Sequence, residues 1–127
     1  EYLRTGVAGM WGRIDSTPNI QLLTYEITTY ALRRGAGDAG AERDLAAHAL
    51  AARQYAVTDA VAVDFLTAAA DATGVTWADP VEYVARLCLT FIDGLVLRWL
   101  VDRDSEIARR QLNDVVDVVV GSARAPE

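Results

Sequence analysis

Apolar positions recur at helical spacing along almost the whole chain. Val7, Met10, Trp11 and Ile14 follow the i, i+3, i+4, i+7 pattern and predict a helix over residues 3–14. Gly6, Gly9 and Gly12 weaken it, and the pattern is already under way at Glu1, as expected for a piece of a longer protein. A second helix opens with Thr17 as N-cap and Pro18 at the first helical position. Its stripe is Ile20, Leu23, Ile27, Tyr30 and Ala31, and Gly35 supplies a C-terminal stop. A third, alanine-rich helix is predicted over 38–73 from Leu45, Ala49, Ala52, Ala56, Val63, Leu66 and Ala70. Its weakest stretch, 58–63, leaves room for a kink, and Gly74 ends it.

The last two helices are broader in their apolar surface. Asp79-Pro80-Val81-Glu82 is close to a capping box and opens a helix running to about Leu100. At 100° per residue its apolar side chains cover roughly 200° of arc. An ordinary surface helix needs about half of that. A fifth helix is predicted over 105–120, where Ile107, Ala108, Leu112, Val115, Val116, Val118, Val119 and Val120 again span more than half the circle. The valine run invites a strand. The polar residues Glu106, Arg110, Asn113, Asp114 and Asp117 nevertheless gather on one side at period 3.6, which favours helix. No strand pattern survives elsewhere, so the predicted fold is all-α with five helices.

Length and charge narrow the class. A chain of 127 residues makes one domain. Area scaling gives ~6,600 Å² exposed when folded against ~20,000 Å² unfolded, enough for a real core. Apolar residues are 52% and charged residues 24%, a globular balance. No apolar run approaches the ~18 residues of a membrane span, and residues 1–12 lack a leader layout. The single cysteine, Cys88, forms no internal disulfide, which fits a cytoplasmic location. Net charge is −6 and every basic residue is arginine, a poor match on its own to a phosphate backbone.

Catalytic motifs are few. Gly35-Ala36-Gly37-Asp38-Ala39-Gly40 matches G-x-G-x-x-G by letter. A dinucleotide site needs a strand before that motif, and here a helix precedes it, so a helix–helix loop is the better reading. Asp102, Asp104 and Glu106 alternate like the start of a calcium loop, but Ile107 and Asn113 stand where glycine and glutamate are required. An acidic helix N-terminus explains them better. His48 is the only histidine, no metal-ligand cluster exists, and none of Ser16, Ser105 and Ser122 has a nucleophile context. Cys88 reads as inert core. Nothing here implies an enzyme, a metal or a cofactor. The informative set is aromatic: Trp11, Tyr25, Tyr30, Tyr55, Phe65, Trp77, Tyr83, Phe91 and Trp99 are core packing or, in part, the wall of a ligand cavity between helices.

Leu89-Thr90-Phe91-Ile92-Asp93-Gly94-Leu95-Val96-Leu97-Arg98-Trp99-Leu100, followed by Asp102-Arg103-Asp104-Ser105, resembles the end of TetR-family transcriptional repressors. So do Tyr25-Glu26-Ile27 leading to Ala31-Leu32-Arg33, and the long third helix closing at Gly74. The resemblance lies in the order and spacing of these loose motifs and covers nearly the whole chain. It implies that residues 1–127 are an effector-binding and dimerisation domain. DNA contact would belong to an N-terminal helix-turn-helix domain outside this sequence. The expected ligand is a small apolar or amphipathic molecule lying between the second, third and fourth helices, against Trp11, Tyr25, Thr29, Tyr55, Phe91 and Thr90. The surplus apolar arcs predict a homodimer in which two copies of the last helix pair form a four-helix bundle. Leu97, Leu100, Leu112, Val115, Val116 and Val119 are its expected interface, and Gly94 would let a partner helix approach closely. The alternatives are a ligand-free structural dimerisation module and a small all-α enzyme.

Overall fold

The computed structural model describes residues 1–34 and 41–125. Five helices follow one another: α1 (Tyr2–Ser16), α2 (Pro18–Arg34), α3 (Ala41–Thr73), α4 (Val81–Asp102) and α5 (Ser105–Gly121). The all-α, five-helix expectation is met. The glycine-rich 35–40 stretch and the stop at Gly35 lie outside the described residues. Helix α3 is unbroken through the 58–63 stretch.

The helix ends show which local signals prevail. Pro18 opens α2, and the Thr17 carbonyl accepts from the amides of Ile20 and Gln21. The Thr17 hydroxyl is used otherwise: it donates to the Arg13 carbonyl at 2.7 Å. The start of α4 differs from the predicted capping box. Pro80 is itself the N-cap, with no side-chain cap, and Asp79 stands one residue outside. Helix α5 is capped as an acidic N-terminus should be, with the Asp104 carboxylate accepting from the Ile107 amide at 3.0 Å.

Two short strands were not foreseen. β1 (Thr76–Trp77) pairs antiparallel with β2 (Ala123–Arg124), Thr76 opposite Arg124 and Trp77 opposite Ala123. Two residues are too few for a period-2 signal. The bridge ties the α3–α4 link to the end of α5, and the Trp77 indole donates to the Leu66 carbonyl of α3 at 3.2 Å.

Most of the buried apolar residues fall into two clusters rather than one; Ala31, Ala51, Ala69 and Val116 are buried outside both. Trp11, Ile14, Val96, Trp99, Ala108 and Leu112 make the first, joining α1, α4 and α5. Leu66, Val84, Ala85 and Val119 make the second, joining α3, α4 and α5. A domain of this size ordinarily has one contiguous core, so the division calls for an explanation.

Candidate functional site

A cavity of about 450 Å³ lies between the two clusters, walled by α1, α3, α4 and α5. Ile14 and Leu112 of the first cluster and Leu66 and Val119 of the second are all in its wall. Met10, Phe65, Ile92 and Val115 line it between them. Small residues in the wall, Gly6 and Ala62, help leave it open. Gly6 has a second role. A Cβ there would run into the ring of Phe65, so a larger residue at this position requires the Phe65 side chain to shift. Phe65 in turn stacks on Tyr2, with ring centres 5.6 Å apart.

Polar groups in this wall are sparse. Arg13 is the one charged residue, Thr58 carries a hydroxyl, and Cys88 carries a thiol. The Thr58 hydroxyl donates to the Gln54 carbonyl at 2.9 Å. Burial pushes the Cys88 thiol up, so it stays protonated and unreactive. Arg13, Thr58 and Val61 are the solvent-exposed residues of the wall, on α1 and α3, so the mouth carries one guanidinium, one hydroxyl and one apolar side chain, and the interior is apolar apart from the Cys88 thiol.

None of the six expected ligand residues lines this cavity, and α2 contributes nothing to it. Trp11 is buried in the first cluster, edge-on to Trp99 at 5.3 Å. Its indole N–H has no partner, and its ring borders a smaller cavity of about 290 Å³ between α1 and α5. Tyr25 and Tyr55 do converge, but on each other's partner: Tyr25 donates to the Asp93 carbonyl at 2.6 Å, and Tyr55 to its carboxylate at 3.0 Å. These bonds join α2 and α3 to α4. Burial and the neighbouring Asp93 carboxylate hold the Tyr25 hydroxyl well above its ordinary range, and burial with the Asp93 hydrogen bond raises that of Tyr55. Both hydroxyls are therefore committed as neutral donors within the fold. Thr29 donates to the carbonyls of Tyr25 and Glu26, Thr90 to that of Arg86, and Phe91 faces outward. Of the aromatic set, Phe65 does line the cavity although it was not among the six, and Met10, Arg13 and Ile92 were missed because the aromatic residues drew the reading toward α2.

The expected interface residues divide three ways. Leu112, Val116 and Val119 are buried by their own chain. Val115 faces the cavity, and Leu100 packs half-buried on the first cluster. Leu97 is exposed. The exposed large apolar residues of this helix pair are Tyr83, Phe91, Leu97 and Val101 on α4 and Ile107, Val118 and Val120 on α5. The α4 set makes one stripe and Ile107 with Val118 another, while Val120 points to a different side of α5. Gly94 sits within the α4 stripe, with no atom within 4 Å of where a Cβ would be. The chain exposes 8634 Å², about 2,000 Å² more than scaling gives for a compact monomer of this mass.

The turn between α4 and α5 is tied to α1. Arg103 adopts a left-handed conformation with φ 58°, its amide donating to the Trp99 carbonyl at 2.7 Å and its guanidinium lying 4.2 Å over the Trp99 ring. The Trp99 indole donates to the Ser105 hydroxyl at 3.0 Å, which donates to the Asp15 carboxylate at 2.7 Å. Asp102 accepts from Arg98 and from the Asp104 amide, which hold its carboxyl below the usual range. No group of side chains among the described residues could hold a metal ion, and no helix among them is long and apolar enough to cross a membrane. His48 lies exposed on α3. Comparisons of the chain with protein-family models, curated proteins and solved structures returned no match.

Proposed function

We propose that this chain is the effector-binding and homodimerisation domain of a TetR-like transcriptional repressor, in which a small apolar or amphipathic ligand releases the full-length protein from DNA. The observation that carries the reading is the cavity between the two core clusters. A volume of 450 Å³ with an apolar interior and a few polar groups at one side is of the size and character of a small-molecule site. The apolar stripes on α4 and α5 support the dimer. A purely structural dimerisation module needs those stripes but no cavity, and the cavity is what favours the effector-binding reading over it. DNA contact falls to a helix-turn-helix domain outside this sequence.

A thermal-shift screen of apolar and amphipathic compounds tests it. Binding at a hundredfold excess over Kd stabilises by about 2.7 kcal/mol, roughly a 10 °C rise in Tm for a domain of this size. Val115→Trp, which fills the cavity, abolishes the shift. A screen in which no compound raises Tm, with the chain still dimeric, favours the structural module.

A further inference from the structure

The cavity is asymmetric in its chemistry, and the asymmetry says what kind of molecule fits. Along α1 its wall runs from Leu3 to Ile14, about 16 Å at 1.5 Å per residue. That is roughly the extended length of a dodecanoyl chain. The interior, from Phe65 and Leu66 to Val119, offers no charge and, beyond the weakly donating Cys88 thiol, no free hydrogen-bonding group, so a ring system rich in heteroatoms would be left largely unpaired there. A flexible hydrocarbon chain would not. At the mouth stands one cation. Arg13 is exposed at the C-terminal end of α1, and its guanidinium makes no ion pair and no hydrogen bond among the described residues. The nearest acid along its helix, Asp15, is engaged by Ser105 and lies 3.8 Å from Arg109. No acidic residue lines the cavity. In a chain of net charge −6, a lone arginine beside an apolar opening is a local reversal of sign.

We propose that the cavity takes a medium-chain carboxylate, with its hydrocarbon chain between the two core clusters and its head group on Arg13 at the mouth. This rests on reading the cavity as the effector site and names the class of effector. The planar guanidinium fork matches a carboxylate in two parallel hydrogen bonds, which a lysine could not supply. Thr58 stands at the same mouth and, having donated its proton to Gln54, keeps lone pairs that suit water bridging rather than an anion. Arg13 therefore sets the head-group preference alone.

The test measures displacement of the neutral fluorophore N-phenylnaphthylamine from the intact chain by laurate, dodecanol and dodecyltrimethylammonium, each below the concentration at which it aggregates. Laurate competes about tenfold more tightly than dodecanol, and the cation more weakly than either. Arg13→Gln, an exposed helical substitution that leaves the fold intact, brings laurate and dodecanol to equal affinity. Arg13→Lys recovers only part of the difference. Equal binding of laurate and dodecanol by the unmodified chain, or an unchanged ratio in Arg13→Gln, overturns the carboxylate assignment and leaves the cavity reading standing. Failure of the fluorophore and of all three amphiphiles to bind, or binding undiminished in Val115→Trp, overturns the cavity reading itself.

Discussion

Val118 offers a direct test of the dimer because it is 58% exposed in the single chain. On a monomer, Val118→Asp is a surface change and moves stability by no more than ~0.5 kcal/mol. In a two-fold dimer built on the α4 and α5 stripes, the same substitution enters the interface twice. Burying a whole valine contributes about 1.5–3 kcal/mol, so the exposed portion accounts for roughly 1 kcal/mol per copy and about 2 per dimer. A carboxylate placed there without a partner adds a desolvation cost of a few kcal/mol. The sum is at least ~4 kcal/mol, a rise of about 10³ in the dimer Kd. Sedimentation equilibrium at micromolar concentration reads this directly, with circular dichroism to show that the helices persist. The unmodified chain runs at twice 13.8 kDa and Val118→Asp at the monomer mass. Leu97→Asp behaves alike, while Leu45→Asp, exposed near the start of α3, leaves the mass unchanged. Val116→Asp is uninformative, because that side chain is core and its loss unfolds the chain in either state. A folded 13.8 kDa species for the unmodified chain, or a Val118→Asp variant that remains dimeric, would refute the reasoning.

Three other perturbations probe the fold around the cavity. Ser105→Ala removes the acceptor of the buried Trp99 indole and the donor to Asp15, and should cost about 2 kcal/mol in urea unfolding. Gly6→Ala drives a Cβ against Phe65 and should cost ~1–3 kcal/mol by overpacking; adding Phe65→Ala removes the clash, so the double variant is less destabilised than the sum of the two single changes. Tyr25 and Tyr55 set the alkaline limb of stability. Their native pKa values are raised, so their contribution is whole below the unfolded value of 10.0 and is lost as pH rises above it. Tyr25→Phe with Tyr55→Phe should lower stability at neutral pH by about 1 kcal/mol per hydrogen bond and flatten the decline above pH ~10; an unchanged alkaline slope in the double variant counts against this account.

Much of the fold was legible because helical periodicity is a local property and this chain keeps it from end to end. Pro18, Gly74 and Asp104 punctuate the helices where their chemistry says they should. Asp79 did not cap because the proline after it took the N-cap position itself, leaving the acid one residue outside α4. The β1–β2 bridge joins segments more than forty residues apart, and no local pattern announces so short a pairing. The tyrosines misdirected the site reading for a related reason. A phenol on a helix is compatible with a pocket wall or with an interhelical bond, and only the position of the Asp93 carbonyl and carboxylate decides between them.

The wide apolar arcs of α4 and α5 carry a more general lesson about what periodicity measures. An arc of roughly 200° states how much of a helix avoids water, not which surface does the covering. Here three claimants share it. On α4, Val84, Ala85, Val96 and Trp99 go to the chain's own core, Cys88, Leu89 and Ile92 to the cavity, and Tyr83, Phe91, Leu97 and Val101 to the outside. On α5, Leu112, Val116 and Val119 are core and also edge the cavity, Val115 faces the cavity, and Ile107, Val118 and Val120 are exposed. Assigning the whole surplus to a partner would therefore overstate the proposed interface and overlook the cavity. The same division places both candidate surfaces on the same two helices. A ligand that fills the cavity presses on Ile92 and Val115, which are one residue from Phe91 and three from Val118 on the outer stripes. Packed interiors transmit such displacements rather than absorb them, so occupancy of the cavity and the packing of the outer stripes should be coupled. By linkage, a cavity ligand that changes the dimer Kd must be bound with an affinity that dimerisation changes by the same factor.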